Sequence, residues 1–254
     1  MFVILRTGLC VLTVFALSAV SAAAEETRID VRVLARGAKF LPGGRSVPVT
    51  LRDADSGEVL ARGWTAGGTG DTGRIMSATT GGRRQLPEDG AALYAAVIDI
   101  ARPRLVALEV GPVEGPSRSG MQVSTQWVLP GRHLINGDGW LVEAPGLLVD
   151  LSTPVAYGVH AVGEEIRLLA GVTMMCGCGL EPGGIWDADG VEVTATVYLD
   201  GERIAVLPLP YAGRPSRFEG RYRPDRPGVH EIEVQAWAPQ GNNAGVGRTA
   251  VVVR

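Results

Sequence analysis

Apolar and polar residues alternate one for one wherever this chain is regular. Ile29, Val31 and Val33 interleave with Arg28, Asp30 and Arg32, and Val191, Val193, Ala195, Val197 and Leu199 interleave with Glu192, Thr194, Thr196, Tyr198 and Asp200. A period of two is that of a strand with one buried face, because successive side chains leave a pleated backbone on opposite sides. Asp200-Gly201 then supplies a two-residue turn into a returning strand over 202–207, which predicts a hairpin. Further along, Ile232, Val234 and Ala236 face one way and Glu231, Glu233 and Gln235 the other, before a loop over 239–247 and a last strand over 248–253. Runs with a helical period are nearly absent. The 35 glycines and 16 prolines suit many short strands joined by tight turns. The expected fold class is all-β.

The first 24 residues read as a cleaved signal peptide: Arg6 is the positive region, residues 9–20 are almost wholly apolar, and Ala22-Ala23-Ala24 fits a small-residue cleavage site. Cys10 follows Leu9, where a lipoprotein signal needs a small residue, so no lipid anchor is expected. The remaining length, about 230 residues, suits two modules of about 100 residues that each bury a core. We place them at residues 25–152 and 153–254, with the boundary at Leu151-Ser152-Thr153-Pro154. Past the leader no run reaches the ~18 apolar residues of a membrane helix, so the mature chain is expected not to span a membrane. A net charge of −3 gives no reason to expect nucleic acid or anionic lipid as a partner. The expected location is the periplasm or the medium, and the expected partner is another envelope protein.

Two local patterns resemble known families. The segment 47–60, Val-Pro-Val-Thr-Leu-Arg-Asp-Ala-Asp-Ser-Gly-Glu-Val-Leu, is similar to the hairpin of transthyretin-like or carboxypeptidase-regulatory-like exported modules. Residues 222–253, with Pro227-Gly228-Val229-His230 leading into 231–237 and then Gly241-Asn242, resemble the final two strands of bacterial immunoglobulin-like domains. Each resemblance covers part of its module. Together they imply tandem β-sandwiches used for adhesion, partner binding or spacing, without catalytic residues.

Met174-Met175-Cys176-Gly177-Cys178 belongs to neither pattern and carries the most distinctive chemistry. If residues 166–175 form the second strand of an immunoglobulin-like sandwich and Val191 begins the third, residues 176–190 join them at the end that also holds the Gly241 loop and the junction with the first module. With Cys10 removed, Cys176 and Cys178 are the only thiols in a compartment that permits disulfides. Three outcomes are open. The pair can close an inert disulfide, with Gly177 providing the turn that brings the two within range. Held reduced, both thiolates with Met175 or Met174 make a soft ligand set suited to Cu(I), and His133 of the first module joins it if residues 140–144 and 147–151 pair across Pro145-Gly146. Thiol–disulfide exchange is the third, although neither Lys nor His is expected beside the pair to lower a thiol pKa.

Other candidates have plainer readings. Trp186 is expected to plug its own loop, the alternative being an exposed contact for carbohydrate or protein. Asp187 and Asp189, like Asp53 and Asp55, have a spacing that calcium uses, but turn chemistry explains both. Gly68-Thr69-Gly70-Asp71-Thr72-Gly73 matches a dinucleotide fingerprint without the apolar helix and βαβ unit the fingerprint needs. His160 and His230 are expected at the surface of the second module. No serine elbow or paired carboxylates are recognisable, so the chain is not expected to be an enzyme. The sequence thus predicts an exported, non-catalytic accessory protein with a soft-metal, Cu(I), site at Cys176, Cys178, Met175, Met174 and His133. Its alternatives are an envelope interaction module with an inert Cys176–Cys178 disulfide, and thiol–disulfide exchange.

Overall fold

A computed structural model of the protein describes residues 23–41, 46–77, 85–112 and 120–254. All but the last two residues of the expected leader lie outside that set. In the first half the strands are β1 (Glu25–Ala35), β2 (Pro48–Asp53), β3 (Val59–Trp64), β4 (Tyr94–Ile100), β5 (Arg104–Val110), β6 (Gln122–Val128) and β7 (Trp140–Ala144), with one short helix, α1 (Thr72–Met76). The second half contributes β8 (Leu147–Thr153), β9 (Val159–His160), β10 (Ile166–Met174), β11 (Glu192–Leu199), β12 (Glu202–Pro208), β13 (Arg217–Tyr222), β14 (Gly228–Ala238) and β15 (Asn243–Val253). The protein is all-β.

Two sheets make up the first module, in the orders β4-β1-β7 and β3-β2-β5-β6. Ile29, Val31, Val33 and Ala35 leave the inner side of β1 and share one buried cluster with Val49 and Leu51 of β2 and Val106, Leu108 and Val110 of β5. The 47–60 hairpin forms as β2 and β3, closed by a turn in which Asp53 accepts from the backbone of Asp55 and Ser56. The outer side of β1 departs from the simple alternating pattern. Phe40, Ala91 and Ala92, with Leu34, Ile75, Leu86 and Leu141 against them, form a second small cluster over that side. Arg32 is therefore nearly buried, and its guanidinium reaches the carbonyl oxygens of Ala91 and Ala92.

The second module has the immunoglobulin-like arrangement of two packed sheets. One is ordered β13-β10-β8, the other β12-β11-β14-β15-β9. Consecutive strands β10 and β11 lie in different sheets, and β11, β14 and β15 are neighbours in the second, with β12 added at its edge. Asp200 and Gly201 both take positive φ, as a two-residue hairpin turn requires, and set Leu199 opposite Glu202. Leu168, Ala170 and Val172 from β10 pack with Val193, Ala195 and Val197 from β11 and Ile232 and Val234 from β14.

The pairing of residues 140–144 with 147–151, the condition on which His133 would have joined the sulfur ligands, does not occur. β7 runs parallel to β1, matching Val31 with Trp140 and Ala35 with Ala144, while β8 runs antiparallel to β10, matching Met174 with Leu147. Pro145-Gly146 is thus the crossing between the two pairs of sheets. The physical reason lies in the proline, whose ring holds φ near −65°, whereas two-residue hairpin turns need a positive φ at their first position. The expected division after residue 152 accordingly falls at the end of a strand whose hydrogen bonds go to β10.

Candidate functional site at the module junction

β10 ends at Met174, and the backbone turns back at once. The Met174 carbonyl accepts the Gly177 N–H at 2.8 Å, and the Met174 N–H donates to the Cys178 carbonyl at 3.0 Å. Gly177 makes this possible by adopting φ +79°, a region that costs a residue with a Cβ roughly 1–2 kcal/mol. The turn brings the Cα atoms of Cys176 and Cys178 to 5.4 Å, and their sulfurs are joined in a disulfide. Met174, Met175 and Cys176 are buried in the main apolar cluster, and Cys178 packs half-buried against it. The Met175 methyl lies over Gly146, where a Cβ would stand 2.7 Å from it. Both methionines therefore serve as packing residues at the crossing between modules.

The loop that follows closes on itself and then on the first module. Asp187 accepts from the N–H groups of Gly183 and Asp189 at 2.9 and 3.0 Å, which occupies its carboxylate in turn geometry, the plainer of its two expected roles. Trp186 is half-buried against the main cluster, and its indole N–H donates to the Gly37 carbonyl at 2.9 Å. It is a plug, as expected, but one that seals the seam between modules as well as its own loop. Beside it lies an open cavity of about 380 Å³ lined by Gly37, Met174, Ile185, Trp186, Gln240 and Asn243.

Asn243 is the junction residue that sequence reasoning missed. It is buried, its side-chain NH2 donates to the Arg36 carbonyl at 3.1 Å, and its side-chain oxygen accepts the Gly146 N–H at 2.9 Å. A second backbone bond, from the Arg36 N–H to the Ala144 carbonyl at 2.9 Å, fixes the same corner. The Gly241-Asn242 turn gave its address, since Asn242 in the left-handed region delivers the next residue into the seam.

The expected ligand set is not assembled. Cys176 and Cys178 hold each other, and a sulfur in a disulfide is not a thiolate donor. His133 is exposed, and its Nδ1 accepts the Arg28 N–H at 3.0 Å. Arg28 lies seven strand positions before Ala35, so His133 is anchored about 23 Å along β1 from the junction. Among the described residues, no group of three or more His, Cys, Asp or Glu side chains is placed to hold a metal ion.

The other histidines divide. His160 meets Glu164 at 2.9 Å near the surface, in line with expectation. His230 does not: it is fully buried between the Tyr222 hydroxyl, 2.7 Å from Nδ1, and the Arg226 carbonyl, 2.9 Å from Nε2. A carbonyl can only accept, so Nε2 carries the proton and Nδ1 takes the tyrosine hydrogen. The strongest electrostatic perturbation lies elsewhere, at the β2–β3 turn. Asp53 receives Arg104 at 2.7 Å and the Ser56 N–H and hydroxyl at 2.8 Å each. The Arg104 guanidinium, helped by Ser56, holds its carboxyl far below the usual carboxylate range.

No protein-family model and no curated protein sequence matches the chain. Solved structures with a similar course include an engineered protein, 17% identical over 46% of this chain and 22% of that one, with a TM-score of 0.33. The fibronectin(III)-like modules of CbhA from Clostridium thermocellum are 15% identical over 90% of this chain and 94% of theirs, with a TM-score of 0.29. Dpr2 Ig1-Ig2, solved in complex with DIP-Theta Ig1-Ig3, is 11% identical over 90% and 99%, also at 0.29. Strand order and register carry the fold assignment.

Proposed function

We propose that this chain is an exported, non-catalytic interaction protein of the cell envelope, in which Cys176–Cys178 is a closed structural link at the junction of two β-sandwich modules. The observation that carries the reading is the disulfide itself, set in a turn whose Met174, Met175 and Cys176 side chains are buried. The leader-like residues 1–24 and the disulfide both suit an oxidising compartment. The groups with distinctive chemistry at the junction are spent on architecture: Trp186 on Gly37, Asn243 on Arg36 and Gly146, and Asp187 on its own loop. A copper role for Cys176, Cys178, Met174, Met175 and His133 begins only once the bond is opened, and thiol–disulfide exchange needs an attacking thiolate to reach a sulfur beside the buried Cys176.

Alkylation followed by mass measurement on the mature protein, purified without reductant, separates these roles. We expect no thiol to react in the native state, both to react after denaturation and reduction, and no copper to be retained by the oxidised protein. Copper that co-purifies with the wild type and is missing from a Cys176→Ser, Cys178→Ser variant would overturn the proposal in favour of the metal site.

A further inference from the structure

β6 wears its apolar residues on the outside. The sheet register sets Leu105 opposite Trp127, Ala107 opposite Thr125 and Glu109 opposite Val123, so Met121, Val123, Thr125, Trp127 and Leu129 share the outer face of the β3-β2-β5-β6 sheet. Val123 is 60% exposed, Trp127 62%, Met121 55% and Leu129 46%, whereas the inner positions hold the polar Gln122, Ser124 and Gln126 before Val128. A one-residue slip would turn that apolar set inward, yet the protein keeps it outward. β6 is also an edge strand, and among the described residues no strand pairs with its free side. Edge strands are ordinarily guarded by charge, proline or a bulge. Residues 120–129, Gly-Met-Gln-Val-Ser-Thr-Gln-Trp-Val-Leu, hold neither a charge nor a proline, and β6 pairs with β5 without a break in register.

The pattern is symmetric about Thr125, and we infer that β6 is the seat of a two-fold dimer in which it pairs antiparallel with β6 of a second copy, joining the two four-stranded sheets. Centred there, Thr125 meets Thr125 of the second copy, Val123 meets Trp127, and Met121 meets Leu129. Every outward pair is polar with polar or apolar with apolar, and none sets like charges against each other. Aromatic on β-branched and Thr on Thr are the cross-strand pairs that stabilise antiparallel ladders. A second copy fits because a two-fold contact requires one patch to complement itself, which this strand does. The inference rests on the interaction reading above and names its surface and partner.

Sedimentation equilibrium of the mature chain tests it, with three variants. The wild type is expected to dimerise, and Thr125→Lys, which sets two ammonium groups face to face on the axis, to weaken the dimer by about a hundredfold or more. Val155→Lys, at an exposed apolar position on the other module, is expected to leave the dimer intact. Thr125→Cys is expected to give a disulfide-linked dimer under air, since directly opposite strand residues have Cα atoms about 4.5–5.5 Å apart. Thermal melts followed by circular dichroism show whether each variant is folded. A wild type that stays monomeric into the millimolar range, or a dimer indifferent to Thr125→Lys and unlinked by Thr125→Cys, overturns the inference. Unreactive native thiols in that same protein would leave the interaction reading standing.

Discussion

Asn243 and Arg36 are 207 residues apart in sequence and meet through one side-chain amide: the Asn243 NH2 donates to the Arg36 carbonyl at 3.1 Å while its oxygen takes the Gly146 N–H at 2.9 Å. One buried side chain thus ties the first residue of β15 to the end of β1 and to the crossing peptide. Trp186 on Gly37 supplies the parallel tie from the β10–β11 loop. With Met175 packed over Gly146, these contacts make the junction part of the packed interior, and one apolar cluster runs from β1 to β15.

Replacing Asn243 with alanine leaves the Gly146 N–H without its acceptor in a part-buried place, and such losses cost about 1–3 kcal/mol. Asn243→Ala is expected to lower stability by that amount. It should also broaden the urea transition, because the two modules lose a bond that makes them unfold together. A control at Asn242, whose role is its left-handed backbone, should respond differently: Asn242→Gly keeps the turn and changes stability by a few tenths of a kcal/mol at most. Equilibrium unfolding followed by both tryptophan fluorescence and circular dichroism reads both results.

Asp53 makes the first module acid-sensitive. Its folded carboxyl lies far below the value of about 3.9 it takes when unfolded, because Arg104 and Ser56 favour the charged form. A depressed carboxyl contributes stability above the unfolded value and loses it as the pH falls towards the folded one. The wild type is therefore expected to lose stability as the pH drops below about 4, and Asp53→Asn to show a flatter acid limb from a lower plateau. An Asp53→Asn curve parallel to the wild type over that range would refute the assignment. Chemical denaturation at a series of pH values supplies the comparison.

How much of this was legible from sequence depended on the reach of each interaction. The β11–β12 hairpin was readable because Val193 to Leu199 alternate and Asp200-Gly201 is a turn that needs no distant partner. The position of residues 176–190 beside the Gly241 loop followed from strand order alone, and the structure puts both on one cavity. The parallel match of β7 with β1 was not readable, because nothing within 140–144 specifies a partner more than a hundred residues away. Arg32 was mistaken for an outward residue because the cluster that covers it is built from Phe40, Ala91 and Ala92, which carry no strand period of their own. His230 was different. It shares its parity with Ile232, Val234 and Ala236, so the alternating pattern already placed it inside, and the histidine's polarity obscured that. The soft ligands are not gathered in this structure because the pattern lists donors, whereas the turn at Gly177 joins Cys176 to Cys178.

That glycine offers a direct measurement. Gly177→Ala forces a Cβ into φ +79° and is expected to cost about 1–2 kcal/mol, with the Cys176–Cys178 bond formed more slowly on oxidative refolding. Removal of the bond itself should cost less than about 2 kcal/mol, because a disulfide gains stability with the length of the loop it closes and this one encloses a single residue. Stabilities of the wild type, Gly177→Ala and Cys176→Ser, Cys178→Ser proteins rank the two effects. A double-serine variant much less stable than Gly177→Ala would show that the bond, and not the turn, holds the loop.

Tyr222 and His230 close the far end of the second module, and their bond predicts an asymmetry between two substitutions. Tyr222→Phe removes the hydroxyl that His230 Nδ1 accepts but keeps the ring in the core, so it is expected to cost about 1 kcal/mol, the worth of an ordinary buried hydrogen bond with some of the desolvation of the orphaned nitrogen. His230→Phe takes away both the Nδ1 acceptor and the Nε2 donor. It leaves the buried Tyr222 hydroxyl without its partner and also removes the donor to the Arg226 carbonyl, and about 1–3 kcal/mol is expected from the orphaned hydroxyl, more than from Tyr222→Phe. In the double variant, Tyr222→Phe with His230→Phe, the orphaned hydroxyl is gone, so the combined loss should fall short of the sum of the single losses. Urea titrations of the four proteins complete the cycle, and strict additivity would mean that the two side chains do not share the hydrogen bond seen between them.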